Sequence, residues 1–148
     1  MSERVTYEYA LLRVVPRVER GEAINAGVLL HCRRYDVLAV RVHLDRDRLA
    51  ALDPHADADA VADVLGTIAA VAAVPEPPRS DRHSTGALAA RGPGAGEDIG
   101  RRFRRLTTAR STIVQPGPVH AGLTTDPQAE ADRLLAHLVL PPAPPRGH

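Results

Sequence analysis

A chain of 148 residues is enough for one domain with a single core and leaves no room for two independent ones. With 44% hydrophobic and 25% charged residues it is globular rather than disordered or fibrous, and 19 basic against 18 acidic side chains give a formal +1, so no global field draws it to nucleic acid or an anionic membrane. Aromatic residues are only 3%, so the core has to be built from Ala, Val, Leu and Ile, and platforms for stacked bases are excluded.

Every basic residue is Arg, which rules out Schiff-base and P-loop lysine chemistry. The lone Cys32 excludes an intrachain disulfide and a cysteine-rich zinc site, and its phase with Ile24, Val28 and Leu30 marks it as a small buried hydrophobe. No run reaches the roughly 18 apolar residues of a spanning helix. Glu3, Glu8 and Arg13 stand where a signal peptide needs an apolar stretch, so the expected location is cytoplasmic, away from membranes.

In chain order, Tyr7 to Val15 is apolar on both alternations, as in a central strand covered on both faces. Pro16 stops it. After a polar connection, Ile24 to Cys32 and Val37 to Leu44 complete a meander of three antiparallel strands, with Val40 expected in the core. The period then changes to helical over Asp45 to Leu52 and Asp57 to Val74, with Asp57 or Asp59 as cap. Pro75 to Gly96 has no periodicity and reads as a mobile insertion, which cannot hold its Ser80, His83 and Ser84 in a catalytic geometry. Ile99, Phe103 and Leu106 mark a third helix with Arg101, Arg102, Arg104 and Arg105 on its solvated faces. Ser111 to Val114 is a candidate fourth strand, Gln115 to Pro118 a rigid turn, and Asp126-Pro127 opens a last helix whose stripe is Ala131, Leu134, Leu135 and Leu138. The expected architecture is one α+β domain over 1–140, a mostly antiparallel sheet of about four strands with packed helices, followed by a disordered Pro-rich tail at 141–148.

Two polar clusters carry whatever chemistry there is. Arg13, Arg17, Glu19, Glu22 and Asn25 surround the first strand connection; Asn25, the sole Asn, stands beside Gly27, where backbone or a ligand can approach closely. Arg110, Ser111, Thr112, Gln115 and His120 form the second, in which an Arg followed by hydroxyls offers donors to a phosphate or carboxylate and His120 suits acid–base work near neutral pH. Turn capping and surface ion pairs account equally for the first cluster, and a structural histidine for the second. A metal held by Glu19, Glu22 and His120 follows no known spacing rule, so no metal is assigned, and no cofactor is indicated.

The stretch Tyr7-Glu8-Tyr9-Ala10-Leu11-Leu12-Arg13-Val14-Val15-Pro16-Arg17-Val18-Glu19-Arg20-Gly21-Glu22-Ala23-Ile24-Asn25-Ala26-Gly27-Val28-Leu29-Leu30 resembles the signature of the bacterial domain-of-unknown-function family 3037. Arg110-Ser111-Thr112-Ile113-Val114-Gln115-Pro116-Gly117-Pro118-Val119-His120-Ala121-Gly122-Leu123, followed by Asp126-Pro127, is similar to its second signature. Ala23 and Ala109 depart from the family pattern, as does the lack of an aromatic near Arg105, all in packing rather than polar positions. The family supplies no established activity. Its genes often stand beside those of HipA-like kinases, so the resemblance implies an accessory protein of such a kinase.

The leading expectation is therefore a non-catalytic accessory or binding protein whose two clusters form the recognition surface. One alternative is an enzyme or binding pocket for an anionic, phosphorylated or carboxylated small molecule, with Arg13, Arg17, Asn25, Arg110, Ser111 and Gln115 as binders and Glu22 and His120 as acid–base groups. Another is nucleic-acid binding through Arg101 to Arg105, against which the balanced charge argues. Register joins the clusters: with Arg13 opposite Gly27, which would leave room for its guanidinium, Arg13, Asn25, Arg41 and His43 share one sheet face, and His120 is expected in the same concavity.

Overall fold

The computed structural model of the protein describes residues 3–74, 98–108 and 113–142. The insertion expected at 75–96 lies outside the described residues, as does the expected tail beyond its first two positions. Five strands form one antiparallel sheet: β1 (Val5–Val14), β2 (Ile24–Cys32), β3 (Val37–Val42), β4 (Val114–Pro116) and β5 (His120–Thr124). The order is β3-β2-β1-β4, and β5 also pairs with β1. β4 covers the C-terminal part of one β1 edge, from Leu12 opposite Pro116 to Val14 opposite Val114, and β5 covers the N-terminal part, from Val5 opposite Thr124 to Tyr9 opposite His120.

β1 is central, as its double alternation requires, and the fold is α+β with a mostly antiparallel sheet. Gln115 and Pro116, expected in a turn, are strand instead, and His120 opens a fifth strand. Proline is tolerated there because β4 lies at the sheet edge, where a missing N–H breaks no interior ladder. Between β1 and β2, a 3₁₀ turn at Val18–Arg20 is closed by Gly21 at φ 69°, a left-handed conformation that suits glycine.

Four helices follow the expected order: α1 (Arg46–Leu52), α2 (Ala58–Ala72), α3 (Ile99–Thr108) and α4 (Pro127–Leu138). Each opens on an aspartate whose carboxylate accepts an orphan backbone N–H: Asp45 from Arg48, Asp57 from Ala60, Asp98 from Arg101 and Asp126 from Ala129. The two alternations of β1 feed two cores. Leu12 and Val14, with Ile24, Ala26 and Leu29, pack with Leu49, Val61, Leu65 and Phe103 of α1, α2 and α3. Val5 and Tyr7, with Val28, Leu30 and Cys32, pack with Ala131 and Leu134 of α4 and with Val139 just beyond it. Cys32 is fully buried, as its phase predicts.

Three packing expectations need correction. Val40 is only half-buried because β3 is an edge strand; its neighbour Ala39 is the enclosed residue. Leu138 ends α4 exposed, and Val139, the C-cap residue, whose N–H still donates to the Leu135 carbonyl, fills the core in its place. Arg102 is not on a solvated face: it is fully buried and donates to the carbonyls of Ala72 and Val74, satisfying orphan acceptors at the negative end of α2. Among the described residues no helix is long and apolar enough to cross a membrane.

Candidate functional site

β1 carries a one-residue irregularity on each flank, at the same level. On the β2 side Leu12 pairs with Gly27 but Arg13 with Asn25, so Ala26 is an extra residue. On the opposite flank Leu12 pairs with Pro116 and Tyr9 with His120, so Ala10 and Leu11 are opposed by the three residues Gly117, Pro118 and Val119. The Gly117 N–H donates to the Leu11 carbonyl at 2.8 Å and pins that bulge. Side chains alternate along a strand, so each extra residue inverts the faces beyond it. The two inversions turn Asn25 and His120 onto the face that already carries Leu11, Arg13 and, cross-strand from Arg13, Gln115.

These residues build a cleft of about 240 Å³ walled by Leu11, Arg13, Asn25, Gly117, Pro118 and His120. Both signature segments contribute to it. Gly117 packs beside the Arg13 side chain: a Cβ there would rest 3.5 Å from Nε and 3.8 Å from Cζ. Asn25 is oriented by its Nδ2, which donates to the Leu138 carbonyl at the end of α4 at 2.9 Å. The His120 ring stands 5.3 Å from that of Tyr9, tilted by 35°. Arg13 is half-buried, and its Nε is a buried donor with no acceptor among the described residues. An unmet cationic donor on a cleft wall without an acidic side chain is a standing attraction for an anion.

Arg13 therefore does share a face with Asn25, but through the bulge and opposite Asn25, not through a Gly27 register. Gly117, not Gly27, is the glycine against the guanidinium; a Cβ on Gly27 would instead meet the Arg41 carbonyl oxygen at 2.9 Å. Arg41 is held to α4 by Asp132 at 2.7 Å and Gln128 at 2.8 Å, and His43 lies beyond the end of β3. Arg17 reaches away to Asp53 at 3.4 Å and Glu19 at 3.7 Å, and Glu22 is paired with Arg20, so neither lines the cleft. Arg110 and Ser111 lie outside the described residues. Leu11, Gly117 and Pro118 were missing from the expected site; the Pro-Gly-Pro run that marks them reads in sequence as an ordinary turn.

Two other polar groups are tuned by their surroundings. Tyr7 donates to the Glu130 carboxylate, and burial first, then that carboxylate, push its phenol up to about 12. The bidentate Arg133 guanidinium, at 2.7 Å through both Nε and Nη2, holds the Glu130 carboxyl below its ordinary value, with the Tyr7 bond adding to it against a smaller opposing effect of burial. His31, stacked on Phe103 with ring centres 5.5 Å apart, is pushed down by burial, and the Glu8 carboxylate opposes this. Among the described residues no three His, Cys, Asp or Glu side chains converge as a metal site requires, so Glu19, Glu22 and His120 do not form one.

No curated protein and no solved structure matches the chain. The profile of one family, described as a protein of unknown function (DUF3037), matches residues 9–139, a span that runs from the third residue of the first signature through β5 and α4. With both signatures converging on the Arg13 cleft inside that span, the chain belongs to the DUF3037 family.

Proposed function

We propose that the protein is an accessory binding protein of a HipA-like kinase, and that it recognises an anionic group in the Arg13 cleft. The observation that carries the anion-binding reading is the half-buried Arg13 guanidinium, whose Nε has no acceptor among the described residues although both signatures wall it. A guanidinium on a cleft wall with no acidic side chain beside it keeps its charge available to an anion. Binding is favoured over acid–base catalysis because Glu22, the expected partner of His120, is tied to Arg20 and is not on the cleft wall. Binding of nucleic acid through α3 is disfavoured because Arg102 is buried under α2. The kinase partner is carried over from what the resemblance to the family implies, a gene placed beside that of a HipA-like kinase.

Co-expression with a HipA-like kinase from the same genome, followed by size-exclusion chromatography, tests the proposal. Co-elution that Arg13→Gln abolishes is the expected result. Co-elution indifferent to Arg13→Gln would remove the cleft from the interface, and separate elution would remove the kinase.

A further inference from the structure

We infer that the Arg13 cleft is a receptor for a single carboxylate carried on a short apolar stem, an inference that rests on the anion-binding reading above. Charge is the first argument: the walls carry one guanidinium, an imidazole and no acidic group, which matches a monoanion better than the dianion of a phosphate monoester. Geometry is the second. Nε itself is enclosed, and the Nη nitrogens at the tip of the half-buried guanidinium form a fork of two parallel N–H donors that the two oxygens of a planar carboxylate match. Shape is the third: Leu11 and Pro118 supply an apolar wall beside the charge, suited to a few methylene groups and not to a hydrated phosphate.

The test is an NMR titration of the full ¹⁵N-labelled chain, following the Arg13 Nε–H and Gly117 N–H resonances. The probes are propionate, inorganic phosphate, dimethyl phosphate and propionamide. Propionate is expected to shift both resonances saturably and to bind about tenfold more tightly than the other three. Arg13→Gln should abolish this, and Arg13→Lys should weaken it about tenfold, because an ammonium keeps the charge and lacks the fork. Arg46→Gln, at an exposed pair with Asp59, serves as the control that leaves affinity unchanged. Backbone spectra show whether each variant is folded, and if Arg13→Gln is not, Arg13→Lys decides. Tighter binding of a leucine-ending tripeptide than of its amide would support the carboxylate and assign it to a chain end; equal weak binding of both, with propionate bound, would support a free acid. Phosphate or dimethyl phosphate binding as tightly as propionate would overturn the carboxylate assignment while leaving an anion cleft. No response to any anion would overturn both.

Discussion

Gly122 on β5 lies directly across from Tyr7 on β1, and the tyrosine ring uses the space that a side chain would occupy. Replacing Gly122 with Ala would put a Cβ 2.6 Å from both Cζ and Oη of Tyr7 and 2.9 Å from Cε1. Comfortable carbon contacts begin near 3.5 Å, so the ring would have to retreat by about 1 Å. It cannot retreat freely, because its hydroxyl is bonded to Glu130 and Glu130 is gripped through both oxygens by Arg133. If the ring stays, overpacking costs about 1–3 kcal/mol; if it moves, a hydrogen bond to a charged acceptor worth about 1.5–3 kcal/mol is lost. Restricting the unfolded chain returns about 0.4–1 kcal/mol. The expected net loss is about 2 kcal/mol, seen as a Tm lower by about 5 °C or a matching shift in urea midpoint. Ultraviolet titration gives a second readout: the phenol that titrates near 12 should move back toward 10 in the variant. In a Tyr7→Leu background the same glycine substitution should cost little, since the clamped ring is gone. An unchanged midpoint with an unchanged Tyr7 titration would refute the reasoning.

Tyr7 also sets a limit at high pH: its raised pKa means the unfolded chain releases the proton first, so stability is full below about 10 and falls as pH rises toward about 12, a slope that Tyr7→Phe should remove in urea melts. His31 acts in the acid range with the opposite sense: burial keeps it neutral, the unfolded chain takes up a proton near 6.5, and stability should decline as pH drops below that value, less so in His31→Gln. Arg102→Met should lower stability by about 2–4 kcal/mol in thermal melts by stranding the carbonyls of Ala72 and Val74 at the end of α2. Gly27→Ala should cost about 1–3 kcal/mol, because its Cβ would meet the Arg41 backbone oxygen rather than a yielding side chain.

The helices were legible because each begins with an aspartate ahead of a 3.6-residue apolar stripe, and the meander because β1 and β2 are short apolar runs, covered on both faces and bounded by turn residues. β4 and β5 were not, since two prolines in five residues outweigh any strand signal until the edge position that tolerates them is known. Arg102 misled for a related reason: an arginine on a short helix looks solvated, and only the tertiary placement of α2 supplies the carbonyls that draw it inward. Within the site, Arg13, Asn25 and His120 were legible as residues worth naming. Their meeting was not, because an inserted residue in a strand leaves no mark in composition or period. Arg17 and Glu22 looked like members by proximity in the chain, but Arg17 pairs with Asp53 at the end of α1 and Glu22 with Arg20 in the turn.

The paired bulges make spacing part of the recognition chemistry. Pairing the full-length β2 with β1 without the bulge would instead set Ala26 opposite Arg13 and Asn25 opposite Val14, sending the Asn25 amide toward the α2–α3 core. Regular pairing from Pro116 onward would likewise set Val119 opposite Tyr9 and turn the His120 ring to the other face. Neither shift of register alters a polar side chain, yet either dismantles the cleft, so the letters of the signature carry its function only where both extra residues are taken up as bulges.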